Sequence, residues 1–222
     1  MTGFSTARQK MVDGQVRPSD VTDIRIIDAM LAVPREAFVP ENKRALAYLD
    51  LDLDVSEGGA LKRFLVKPVL TAKLLQAAEL GDTDNVLVVG AATGYAAALA
   101  AALAGKVTAI ESDPALCTKG KDILGKLGFG GKVTFKTAEA AAGEASAAPY
   151  DAIILNGASE IMPQTLCSQL REGGRLLGVF ALTLPSRALI VTHSHGDFGN
   201  RTLFDAAAPI LPGLERLPAF VF

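Results

Sequence analysis

The chain has 222 residues, 50% hydrophobic and 21% charged, with 22 basic against 24 acidic side chains and a net charge of -2. That composition fills the core of one large domain and excludes an intrinsically disordered chain. The absence of a basic stripe argues against nucleic acid as a partner, and no apolar run is long and unbroken enough to serve as a membrane span.

Met1 to Gln15 lacks the basic-then-apolar order of a secretory leader. Cys117 and Cys167 are too few for a disulfide framework, so a cytoplasmic protein with free, buried thiols is expected. One domain over 1–222 is expected, with an N-terminal segment to about 66, a core over 67–193 and a C-terminal strand or tail from 194. Ser5–Pro18 reads as a loosely patterned arm. Thr22 or Asp23 then caps a helix in which Ile24, Ile27, Met30 and Leu31 recur at helical spacing until Pro34 stops it. In Ala45–Val55 the alternation of Leu49, Leu51, Leu53 and Val55 with Asp50, Asp52 and Asp54 predicts a half-buried strand with an acidic, solvated face. Gly58-Gly59 marks a flexible loop.

From Pro68 the pattern alternates. Helices are predicted over Val69–Leu80, Tyr95–Leu103, Pro114–Leu127, Ala138–Ala145 and Met162–Leu170. Strands are predicted over Asn85–Val89, Val107–Ile110, Val133–Lys136, Ala152–Leu155, Arg175–Phe180 and Ala188–His193. Asn85–Val89 is a short apolar run of the kind expected of a buried parallel strand, and strands alternating with helices predict an α/β domain, a mostly parallel sheet with helices on both faces.

The strand Val86-Leu87-Val88-Val89 runs into Gly90-Ala91-Ala92-Thr93-Gly94-Tyr95 and then a helix. A glycine allows the tight turn, small residues let a ligand approach the backbone, and the helix start offers unpaired N–H groups. The spacing is not the G-x-G-x-x-G of dinucleotide sites, and a purely structural turn is the alternative. Glu111 ends the next strand, about twenty residues on, where a carboxylate can accept both hydroxyls of a ribose. Its other reading is a helix-start charge ahead of Asp113-Pro114.

Several ordered motifs together resemble the protein-L-isoaspartate O-methyltransferase family. They are Ala32-Val33-Pro34-Arg35-Glu36-Ala37-Phe38-Val39, the turn at Gly90–Tyr95, Glu111, Tyr150-Asp151-Ala152-Ile153-Ile154, and Gln169 to Leu176 with its paired glycines. The resemblance covers about Ile24 to Val179. It implies a seven-stranded class I methyltransferase sheet that binds S-adenosylmethionine, releases S-adenosylhomocysteine, and methylates an isoaspartyl carboxylate of a protein or peptide in repair. It places Gly90, Ala91, Ala92, Thr93, Gly94 and Tyr95 against the cofactor and Glu111 on the ribose, with Ser112 beside it. Glu139 and Ala140 fall near the adenine, and Asn156 lies in the Leu155–Ala158 floor between cofactor and acceptor. A carboxylate acceptor is already ionised at neutral pH, so no general base is required and positioning carries the reaction.

The departures cluster on the acceptor side. Where the family reads Ile-Ser-Gln-Pro, this chain has Leu65-Val66-Lys67-Pro68, so Val66 stands in for a serine near the reacting groups. Lys67 either attracts an anionic acceptor or extends to solvent. Ala92 replaces the middle glycine of the turn, which costs about 1 kcal/mol if the backbone there is left-handed. The loop Ser56–Phe64 is longer than the family's and different in sequence, and Asn156-Gly157-Ala158-Ser159 replaces Thr-Ala-Ala-Pro. The alternatives are a homologue that binds the cofactor but has lost or changed its isoaspartyl activity, and, with less support, a nicotinamide-dependent oxidoreductase. No metal is expected: His193 and His195 share a strand face but have no further ligand nearby in sequence. Cys117 has only Lys119 near it to activate a thiolate. The apolar tail Phe204–Phe222, with Pro209, Pro212, Pro218, Phe220 and Phe222, packs either on the sheet edge or on another subunit, the second giving a homodimer.

Overall fold

The computed structural model describes residues 3–56, 58 and 61–217. Helix α1 (Gly3–Met11) continues through further helical turns to Ser19, so the segment expected as an arm is helical. Met11, Val12 and Val16 are buried along it, and that burial holds it in place. Helix α2 (Ile24–Ala32) is capped by Asp23, whose side chain accepts from the Arg25 amide. Its buried face is Ile26, Ile27 and Met30, whereas Ile24 points outward.

The strand expected over Ala45–Val55 does not form as such. A 3-10 helix covers Glu41–Leu46, only β1 (Leu53–Asp54) is extended, and Leu49 and Leu51 are exposed. The acidic side chains explain the difference. Asp50 accepts from the Val69 amide (3.1 Å) and Asp52 from the Lys67 amide (2.8 Å), at the start of helix α3 (Pro68–Ala78). They satisfy orphan donors of a helix N-terminus, Asp50 while remaining exposed and Asp52 half-buried. Asp54 bonds both the amide and the hydroxyl of Ser56. β1 pairs antiparallel with β2 (Phe64–Leu65), Leu53 opposite Leu65, in a small ribbon separate from the main sheet. The Gly58-Gly59 loop between them lies only partly within the described residues.

The main sheet has seven strands: β3 (Asn85–Val89), β4 (Lys106–Glu111), β5 (Val133–Thr137), β6 (Tyr150–Ser159), β7 (Leu170–Phe180), β8 (Arg187–Ser194) and β9 (Asp197–Asp205), in the order β5-β4-β3-β6-β7-β8-β9. β5 through β7 in that order are parallel, and β8 and β9 add antiparallel at one edge. β3 is flanked on both sides, and Val86 to Val89 are fully buried, which accounts for their apolar run.

Alternate residues of β3 serve two cores. Val86 and Val88 face one packed by α1–α3, α4 (Tyr95–Leu103) and α5 (Pro114–Lys126). Leu87 and Val89 face the other, with Ile110, Leu155, Leu166, Leu211 and Leu214. That second face carries the four-residue α6 (Gln164–Cys167), and the C-terminal tail covers much of the rest. The helix expected over Ala138–Ala145 is a series of turns, with one 3-10 turn at Ala145–Ala147. The tail segment 209–214 thus packs on its own domain, while Pro218, Phe220 and Phe222 lie outside the described residues. Cys117 and Cys167 are free and buried. No helix among the described residues is long and apolar enough to cross a membrane.

Candidate active site

The carboxyl ends of β3, β4 and β6 meet at the turn after β3. Gly90 (φ 67°), Ala92 (φ 51°) and Gly94 (φ 99°) are all left-handed, so the turn keeps a conformation that three glycines would favour although its middle residue is alanine. Backbone bonds from Ala91 N to Ile110 O (2.9 Å) and from Gly94 N to Ala91 O (2.8 Å) fix it. The Thr93 hydroxyl donates to Phe38 O (2.6 Å), anchoring the turn to the N-terminal segment. Asn156 Nδ2 donates to Gly90 O (2.9 Å) from the end of β6.

Glu111 is fully buried at the end of β4. Its Oε2 accepts from Ala92 N (2.7 Å) and its Oε1 from Asp113 N (3.2 Å) and the Ser112 hydroxyl (3.3 Å). Arg63, itself 3% exposed, closes on the same carboxylate in a two-pronged pair, Nε to Oε1 and Nη2 to Oε2, both 2.8 Å. Burial alone would push Glu111 up, but the Arg63 guanidinium and the backbone donors hold it below the ordinary carboxylate value. Arg63 is positioned by the β1–β2 ribbon: its amide donates to the Ser56 hydroxyl (2.7 Å) and its carbonyl accepts from Val55 N (2.9 Å).

A second side chain enters from the tail. Ala158 N donates to Pro209 O and Leu211 N to Ala158 O, each 2.8 Å, so the tail runs parallel to the end of β6. This drives buried Leu211 into the turn. Its Cδ2 occupies the space that a Cβ on Gly90 would need, and Arg63 Nη2 lies 2.8 Å from the same point. The tail then passes over the segment after β5, where Gly213 faces Ala141.

The donor and acceptor set thus suits an adenosyl ligand, but the space does not in this arrangement. Both Glu111 oxygens already face a cation, and the bare face of Gly90, which lets a ligand reach the backbone, is covered by Leu211 and Arg63. Neither residue stood out in the sequence. Arg63 is one cation in a polar loop and Leu211 one apolar residue in a proline-rich tail; only the bare Gly90 they cover marked the place.

The remaining expected site residues divide. Tyr95 is buried with Arg35 stacked 4.8 Å from its ring centre. Glu139 is exposed, its carbonyl accepting from Ala142 N, and Ala140 packs into the second core. Val66 is buried beside Leu155 and Asn156 around a void of about 10 Å³, and its carbonyl accepts from Arg35 Nη2 (2.8 Å). Lys67 lines a separate groove of about 170 Å³ with Asp50, Phe204 and Asp205, and Pro68 opens α3. His193 stacks on Phe198 and its Nδ1 meets the Arg171 carbonyl at 3.1 Å.

A sequence model described as protein-L-isoaspartate(D-aspartate) O-methyltransferase matches residues 6–182. A protein-L-isoaspartate O-methyltransferase 1 of Rhodopseudomonas palustris (strain HaA2) is 39% identical over 176 residues, covering 79% of this chain and 70% of that one. A protein-L-isoaspartate O-methyltransferase of Roseiflexus sp. (strain RS-1) is 37% identical over 174 residues, covering 78% of this chain and 77% of that one. A solved protein-L-isoaspartate O-methyltransferase superposes with a TM-score of 0.83 at 24% identity, over 94% of this chain and 67% of that one, so the class I methyltransferase fold is shared. With the family model matching residues 6–182 and a relative 39% identical over 79% of the chain, the chain belongs to the protein-L-isoaspartate(D-aspartate) O-methyltransferase family.

Proposed function

We propose that this chain is a transferase that moves a methyl group from S-adenosylmethionine to isoaspartyl carboxylates of damaged proteins or peptides. The single observation that carries the reading is the coupling of the left-handed Gly90–Gly94 turn to Glu111, through the 2.7 Å bond from Ala92 N, inside a chain matched to the family over residues 6–182. A relative of the same fold from Plasmodium falciparum, with a TM-score of 0.74, was solved with S-adenosyl-L-homocysteine.

In this reading Gly90 to Tyr95, Glu111, Ser112, Glu139, Ala140 and Asn156 serve the cofactor, and Val66 to Pro68 serve the acceptor. The acceptor carboxylate is ionised at neutral pH, so these residues need only orient it and exclude water. Cofactor entry requires Arg63 and Leu211 to move off Glu111 and Gly90.

The test is incubation of the full chain with methyl-labelled S-adenosylmethionine and paired peptides that differ only in an isoaspartyl or aspartyl residue. Label is expected on the isoaspartyl peptide alone. Binding of the cofactor without transfer to either peptide would instead favour the homologue that has lost this activity, the reading that Val66 at the family's serine position supports.

A further inference from the structure

We propose that Arg63 and Leu211 form a built-in plug that competes with the cofactor, so that the ligand-free chain rests closed and its affinity for adenosyl ligands is set by how readily the two side chains withdraw. The proposal rests on the methyltransferase reading of the same site. The guanidinium imitates the ligand's polar part: it presents two N–H donors to Glu111 at 2.8 Å each, as a vicinal diol would present two O–H donors. Leu211 imitates its bulk, seated where the backbone of Gly90 is bare.

The two come from segments outside the parallel core. Arg63 rides on a two-stranded ribbon that, among the described residues, makes no pairing with the main sheet. Leu211 rides on a tail joined to the end of β6 by backbone bonds at Ala158 and Glu160 and packed on the second core through Leu211 and Leu214. Either can withdraw without breaking a strand of the sheet. With Arg63, Ala92, Asp113 and Ser112 all donating to Glu111, the roughly four acceptor sites of the carboxylate leave none for a diol, so the exclusion is mutual. In a two-state scheme the apparent affinity is the intrinsic affinity multiplied by the fraction of open molecules. Truncating the plug therefore raises affinity, whereas removing a residue that holds the cofactor would lower it.

The experiment is calorimetric titration of S-adenosylhomocysteine into the full chain and its Arg63→Ala, Leu211→Ala and doubly substituted forms, with circular dichroism melts with and without the ligand. Expected is binding about tenfold or more tighter in each variant than in the unsubstituted chain, and a larger ligand-induced rise in melting temperature. Arg63→Ala leaves Glu111 buried without its partner; if it fails to fold, Leu211→Ala, which keeps the ion pair, decides by the same criterion. Equal or weaker binding by the folded variants overturns the plug and leaves the methyltransferase reading standing. Absence of binding by every folded form, with both side chains truncated, overturns the plug and the cofactor reading together.

Discussion

Asn156 near the end of β6 donates its side-chain amide to the carbonyl of Gly90 at 2.9 Å, tying β6 to the turn after β3. Both partners are buried, so neither has water as a substitute. Asn156→Ala is expected to lower stability by about 1–2 kcal/mol, read as a lower urea midpoint with an unchanged slope. Asn156→Asp, which sets a carboxylate against that carbonyl, is expected to cost more at pH 7.

The Arg63–Glu111 pair makes stability depend on pH in a defined direction. Glu111 is held below its unfolded value, so its contribution is fully present above about pH 4.3 and is lost as pH falls through the lower folded value. Arg63→Met removes the partner and leaves a buried carboxylate, at a cost of about 3–5 kcal/mol at pH 7. Burial then raises Glu111, so the variant binds a proton on folding and recovers stability as pH falls. Urea midpoints at pH 7 and pH 5 are expected to differ less between the two proteins at the lower pH; a gap that stays constant would contradict this account.

Ala92 sits at φ 51°, where a Cβ is strained, and its amide holds Glu111. Ala92→Gly keeps the amide and removes the strain, while glycine adds freedom to the unfolded chain. The strain term is the larger at a left-handed position, so a net gain of about 0.5–1 kcal/mol is expected, seen as a higher melting temperature.

Val66 lines the same small void as Leu155 and Asn156, and the resemblance to the family implies a serine at its position. Val66→Ser would supply a hydroxyl to an acceptor carboxylate, worth about 1–2 kcal/mol when the charged partner is otherwise unpaired. An increase of roughly tenfold in kcat/KM for an isoaspartyl peptide is expected, with little change in S-adenosylhomocysteine affinity. A change in cofactor affinity alone would show that residue 66 does not face the acceptor.

The sequence by itself determined the parallel core and the family. β3 spans Asn85–Val89 and α4 spans Tyr95–Leu103 as local pattern predicts, because a short apolar run and an alanine-rich helix declare themselves through neighbouring residues. The same logic misread Ala45–Val55: its alternation is that of a strand, but Asp50 and Asp52 are drawn to the amides at the start of α3. Tertiary structure alone decided what fills the cleft. Arg63 meets Glu111 across 48 positions of sequence, and Leu211 reaches Gly90 from the far end of the chain. No local periodicity encodes such contacts, since they depend on where a ribbon and a tail come to rest once the sheet has formed.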